Sequence, residues 1–210
     1  WYPEVTAVLT SEPERCPALP SSARLVEVPA SLMQSVSSMR TPQGVLFSLR
    51  LPQEGALRVQ PGMLLLDRIQ DPGNLGTILR TADAFDLPVL LTNGCADPFS
   101  EKTVRASMGA AVRIPVIETG AMPQAITLLR EKGITCLAAA LYQSQPLSAA
   151  KAGYPGGVCV VIGSEGQGLT DETIAACNST VRIPMTDRVE SLNAGIAGSI
   201  LLWHFREESL

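Results

Sequence analysis

From residue 63 onward, short apolar stretches alternate with segments of helical spacing, and this alternation limits the fold more than any other feature of the chain. The stretches 63–67, 89–92, 134–141 and 158–162 are apolar along nearly their whole length, with a less regular one at 113–117. A strand with one face in water alternates apolar and polar residues, whereas a strand covered on both faces does not. Between these stretches, helical patterns are predicted at 75–85, 101–107, 122–132 and 170–177. The order predicts an α/β fold, a parallel sheet with helices on both faces. The closing segment 181–205 reads as strand, loop and helix, with Ser191 in position to cap the helix. That helix carries Ala194, Gly195, Ala197, Gly198 and Ser199. Each of its two glycines costs ~1 kcal/mol relative to alanine, so another element is expected to approach it closely.

Residues 1–52 have a different character. Strands are predicted at 25–28 and 44–49 and a helix at 30–39, punctuated by seven prolines. This reads as the end of a small α/β domain. A looser stretch forms a linker at 53–62, and the second domain spans 63–210. The first residue is Trp1, so the natural N-terminus is expected to lie upstream.

Composition excludes several functional classes. With 46% apolar and 17% charged residues the chain is globular. No apolar run approaches the ~18 residues of a membrane span, and no leader peptide is recognisable. The cysteines Cys16, Cys95, Cys136, Cys159 and Cys177 never fall in C-x-x-C spacing and read as reduced core thiols in a cytoplasmic protein. One histidine, His204, and no cysteine cluster predict the absence of a metal site. A net charge of −4 opposes diffuse binding to nucleic acid. However, all but three of the 16 basic residues are arginine, which suits a few bidentate phosphate contacts.

Three segments could hold chemistry. In the first, Asn74 is placed to cap a helix whose apolar stripe is Leu75, Ile78, Leu79, Ala82 and Phe85. Arg80 then falls beside Gly76 and Thr77, where the glycine is expected to leave room for a ligand. The second is a buried strand running into a loop with Gly163, Glu165, Gly166 and Gly168, at the end of a parallel sheet where α/β proteins hold ligands. Its glycines are expected to let a ligand approach the backbone. The spacing matches neither G-x-G-x-x-G nor a P-loop. The third segment contributes Arg188, Glu190, Ser191 and Asn193, and no G-x-S-x-G elbow occurs anywhere.

In these segments N-L-G-T-I-L-R (74–80), I-G-S-E-G-Q-G-L (162–169) and I-P-M-T-D-R-V-E-S-L-N-A-G-I-A (183–197) occur in order, with R-A-S-M-G-A at 105–110. The chain thereby resembles the SpoU/TrmH family of RNA ribose 2'-O-methyltransferases, of the SPOUT superfamily, over about 61–205. The resemblance implies a C-terminal trefoil knot and a homodimer with the site completed across its interface. It also implies S-adenosylmethionine as methyl donor and an N-terminal remnant of an L30e-like RNA-binding domain. It implies that Arg80 is catalytic, with Asn74, Glu165, Ser191 and Asn193 orienting the substrate and shaping the site. Leu141, Gly163, Glu165, Gly168, Ile183, Met185, Ser191 and Leu192 would hold the donor. Ribosomal RNA is expected as substrate ahead of transfer RNA. The alternatives are an inactive RNA-binding protein on this scaffold and an enzyme using another nucleotide in the glycine loop. Asp187 stands where many members of the family carry glycine, which puts the backbone of that loop in question.

Overall fold

The computed structural model describes residues 4–51, 61–92, 94–149, 154 and 156–206. These fall into two compact units, one before residue 53 and one after it. All of the expected linker except Pro61 and Gly62 lies outside the described residues.

The first unit is a three-stranded sheet in the order β2-β1-β3, where β1 is Glu4–Thr10, β2 Arg24–Glu27 and β3 Val45–Arg50. The central strand β1 pairs in parallel with β2 and antiparallel with β3. It is missing from the sequence reading, although Val5, Thr6 and Val8 are β-branched and favour a strand. The helix α1 is shorter than expected, Ala30–Val36, and buries Met33.

In the second unit seven strands among the described residues stand in the order β6-β5-β4-β9-β7-β10-β8, and each neighbouring pair is parallel. They are β4 Leu64–Asp67, β5 Val89–Thr92, β6 Val116–Thr119, β7 Thr135–Ala139, β8 Gln145–Pro146, β9 Val158–Gly163 and β10 Ser179–Arg182. Five α-helices among the described residues accompany them: α2 Pro72–Ala84, α3 Glu101–Ala106, α4 Met122–Glu131, α5 Asp171–Ala176 and α6 Ala194–Phe205. The pleat divides the core. Leu64 and Leu66 of β4 pack with Ile78 and Leu79 of α2 and with Leu201 and Phe205 of α6. Met63 and Leu65, one residue out of phase, pack with Ile126 and Leu129 of α4 on the other face. Helices therefore cover both faces, and a central strand such as β9 is buried at all six positions.

Helix α6 owes its glycines to contacts within its own chain. A Cβ on Gly198 would sit 2.9 Å from Cγ1 of Ile78, and one on Gly195 would sit 3.1 Å from Cβ of Thr77. Both contacts are with α2. The small face of α6 is thus used up inside the unit, while Ile196 and Trp203 on the same helix are exposed.

Three of the five cysteines are core residues, whereas Cys16 and Cys95 are only half-buried. Burial pushes the Cys136 thiol up to about 11. It pushes Cys177 up to about 12 and Cys159 further still. A thiol in the unfolded chain ionises near pH ~8.5. Above that pH the unfolded chain releases protons that the folded chain retains, so stability is full below pH ~8.5 and declines as the pH rises toward the folded values. Urea unfolding is expected to give the same midpoint at pH 7 and 8 and a lower one at pH 10. Serine at Cys136 and Cys177 should flatten that decline.

Candidate active site

The β4–α2 connection begins the site. Helix α2 starts earlier than its apolar stripe suggests, because Pro72 occupies its first turn and Asp71 is the cap, accepting from the backbone N–H of Asn74 at 2.8 Å. Asn74 is therefore not the cap, and its side chain is released for other partners. It donates from Nδ2 to Oε1 of Glu165 at 2.8 Å and accepts at Oδ1 from Nδ2 of Asn193 at 2.7 Å. One amide side chain thus joins all three motifs, since Glu165 lies in the glycine loop and Asn193 ahead of α6.

A similar correction applies at α6. The helix begins at Ala194, and its cap is Asn193, whose Oδ1 accepts from the Ile196 N–H at 3.2 Å. Ser191 lies two residues before that cap, in a loop that lines a cavity. Asn193 thus serves two purposes: its Oδ1 caps α6 while its Nδ2 binds Asn74.

The cavity has a volume of about 900 Å³ and lies between the loop after β7, the glycine loop and the segment between β10 and α6. Leu141, Gly163, Glu165, Gly168, Ile183, Met185, Ser191 and Leu192 all line it. Arg80, Asn74 and Asn193 do not. Apolar side chains, Ile162, Val181 and Leu201 among them, form part of its wall, and Glu190, Arg182 and Asp171 bring charge to it.

The glycines of the loop do something other than what their spacing suggests. A Cβ on Gly163 would lie 2.2 Å from the carbonyl carbon of Gly168 and 2.4 Å from the Leu169 nitrogen, so this glycine lets the loop fold against its own root. A bridge between Ser164 and Gly168 closes that fold, and Gly168 has φ +67°. A Cβ on Gly166 or on Gly168 would meet no atom within 4 Å. Gly76, like Gly163, leaves no room for a ligand. Its missing Cβ would meet Ala106 Cβ at 2.5 Å and the carbonyl oxygen of Thr103 at 2.9 Å, so α3 fills the gap. The R-A-S-M-G-A segment is the end of this packing: Ser107 is fully buried and Gly109 turns the chain at φ +80°.

Arg80 is exposed, and no hydrogen bond or ion pair joins it to another described residue. Arg188 and Glu190 are exposed as well. Asp187 lies in a turn in which the Val189 N–H reaches the Thr186 carbonyl, and its φ is not positive, so the loop accepts a side chain there without strain. His204 packs its ring edge-on to Phe205 at the far end of α6. Among the described residues no cluster of His, Cys, Asp and Glu could hold a metal, and no helix is long and apolar enough to cross a membrane.

Sequence reasoning passed over Arg68, which reaches from the end of β4 to Gln167 and Gly168 in the glycine loop. Its backbone lies at φ 59°, a conformation that an arginine does not advertise in a sequence.

Comparison with known proteins agrees with this geometry. Residues 61–203 match the model of the SpoU rRNA Methylase family. The 23S rRNA (guanosine(2553)-2'-O)-methyltransferase RlmP of Bacillus subtilis is 32% identical over 209 residues, covering 96% of this chain and 81% of its own. The 23S rRNA (guanosine-2'-O-)-methyltransferase RlmB of Salmonella typhi is 32% identical over 73% of this chain and 63% of its own. Among solved structures, the AdoMet-bound rRNA methyltransferase of Sinorhizobium meliloti superposes with a TM-score of 0.85 at 29% identity, covering 99% of this chain and 82% of that one. A TrmH-family protein from Porphyromonas gingivalis gives 0.87 at 36% identity, with 99% and 84% covered. With its motifs joined through Asn74 beside one cavity, and with the family model spanning most of its length, the chain belongs to the SpoU rRNA methylase family.

Proposed function

We propose that this protein transfers a methyl group from S-adenosylmethionine to a ribose 2'-hydroxyl of structured RNA in the cytoplasm, with ribosomal RNA as the substrate ahead of transfer RNA. The observation that carries this reading is the Glu165–Asn74–Asn193 chain of hydrogen bonds at the edge of a cavity lined by the glycine loop. The named activities of the Bacillus and Salmonella relatives favour ribosomal RNA.

The cavity suits the donor. Its size falls within the ~300–1,000 Å³ usual for cofactor sites. Apolar walls at Ile183, Leu192 and Leu201 suit a purine ring, and the backbone groups around Leu141 and Met185 offer hydrogen bonds to it. Gly166, where a Cβ would meet nothing within 4 Å, leaves free space beside the loop. The bound sulfonium supplies an already activated methyl group. The protein has to hold the 2'-hydroxyl in line and stabilise the oxygen as its proton leaves. Alignment can supply ~7–11 kcal/mol, more than the ~3–5 kcal/mol of proton transfer, so positioning is the larger contribution. Asn74 fixes the glycine loop through Glu165 and the start of α6 through Asn193, which keeps two walls of the cavity in register. Arg80 has five donors and no acceptor, which suits it to bind phosphate and stabilise the developing alkoxide and not to act as a base.

In this reading the protein works as a homodimer whose C-terminal segment is threaded into a trefoil knot, and residues 1–52 are the remnant of an L30e-like RNA-binding domain. The exposed Ile196 and Trp203 of α6 support a subunit contact, and the position of Arg80 outside the cavity lining supports a site completed by the partner. The return of the chain from β10 to pack α6 on α2 supports the threading. Calorimetry is expected to show S-adenosylhomocysteine binding that survives chelator. Mapping ribose methylation in RNA from cells with and without the protein is expected to reveal one missing mark, in ribosomal RNA. A full set of marks without the protein would overturn the activity.

A further inference from the structure

We propose that Arg68 is a positioning residue of the donor site, a latch that holds the glycine loop in its cavity-lining form. This rests on the methyl-donor reading of that cavity. Strand β4 ends at Asp67, and Arg68 then turns the chain at φ 59°, in the left-handed region that side chains seldom enter. Residues held in such a conformation persist only where the surroundings enforce it. Here they do. The stem of Arg68 crosses Gly94, where a Cβ would lie 2.6 Å from its Cγ, so the channel exists only beside a glycine. The guanidinium then spreads over three partners. Nε lies 3.4 Å from Oδ1 of Asp67, Nη1 donates to Oε1 of Gln167 at 3.4 Å, and Nη2 donates to the Gly168 carbonyl at 3.2 Å.

Asp67 is buried, and the hydroxyls of Thr92 and Thr173 donate to its two oxygens at 3.3 and 3.4 Å. Thr173 belongs to α5, which follows the glycine loop directly. The Asp67–Arg68 pair therefore grips the C-terminal end of the loop and the helix beyond it, while Asn74 grips Glu165 nearer the start. Arg68 does not line the cavity itself, so it can act on a bound donor only through the loop.

The test compares Arg68→Gly and Arg68→Lys with the native chain. Glycine relieves the left-handed backbone and deletes the latch. Lysine keeps the charge beside Asp67 but cannot span Gln167 and Gly168 together. In Arg68→Gly, calorimetry with S-adenosylhomocysteine is expected to show affinity lowered about tenfold, the scale of two lost hydrogen bonds. KM for S-adenosylmethionine should rise in parallel, with kcat within about twofold because no group touching the reactants is removed. Arg68→Lys should fall between the two, about threefold weaker than native, at an unchanged thermal midpoint. Hydrogen exchange at the amides of Gln167, Gly168 and Leu169, measured without any ligand, should quicken in both variants. Native affinity and unchanged loop exchange in Arg68→Gly would overturn the latch and leave the donor reading standing. Faster exchange in the variants of a protein that fails to bind S-adenosylhomocysteine would keep the latch and overturn the donor reading instead.

Discussion

Replacing Arg80 by alanine is expected to abolish methyl transfer while leaving affinity for S-adenosylhomocysteine close to native. The side chain is exposed, has no hydrogen-bond or ion-pair partner among the described residues and stands outside the cavity lining, so its loss removes nothing that shapes the cavity or the core. What it removes, on the proposed reading, is a fork of donors for the RNA. Loss of one such donor to a developing oxyanion typically costs ~10²–10³ in kcat, and the concurrent loss of a phosphate contact adds to it. Arg80→Lys should recover little, because a point charge does not reproduce the planar fork. Single-turnover methylation of the true RNA, run beside calorimetry, separates the two effects. Near-native turnover in Arg80→Ala would sink the mechanism even with the fold intact, and lost donor binding would reassign Arg80 to the donor side.

Gly163→Ala should produce the reverse pattern, damage to the proposed donor cavity with Arg80 untouched. The added methyl would meet the Gly168 carbonyl carbon at 2.2 Å, its oxygen at 2.4 Å and the Leu169 nitrogen at 2.4 Å, all of them backbone and unable to swing aside. Either β9 shifts at its last residue or the loop opens. Overpacking of this kind costs ~1–3 kcal/mol, so a lower thermal midpoint is expected together with a loss of S-adenosylhomocysteine affinity of about tenfold or more. Gly166→Ala, where no atom lies within 4 Å, is the matched control and should behave as native. Equal affinity in the two variants would show that closure of the loop on its root does not shape the cavity.

The sequence by itself determined the α/β layering and the segments that meet at the site. Strands buried on both faces must be apolar throughout, so 63–67, 89–92 and 158–162 announced themselves, and the helices between them carried their own period. The strand order was not legible. Pairing β9 with β4 sets Leu64 beside Val160, far apart in the chain, and each of those strands would bury equally well beside another neighbour. Cap positions were read three residues late at α2 and two residues early at α6 for the same reason: several residues near 71–74 and 191–193 could accept the first helical N–H groups, and only the packed helix selects Asp71 and Asn193. That selection decides the site, because it frees the Asn74 side chain for Glu165. The glycines show the same division. Their unusual density in 163–168 and 195–198 was plain in the sequence, but whether the approaching atoms belong to a ligand or to the chain itself depends on tertiary contacts. Those contacts assign Gly163 to the loop's own root, Gly76 to α3, and Gly195 and Gly198 to α2.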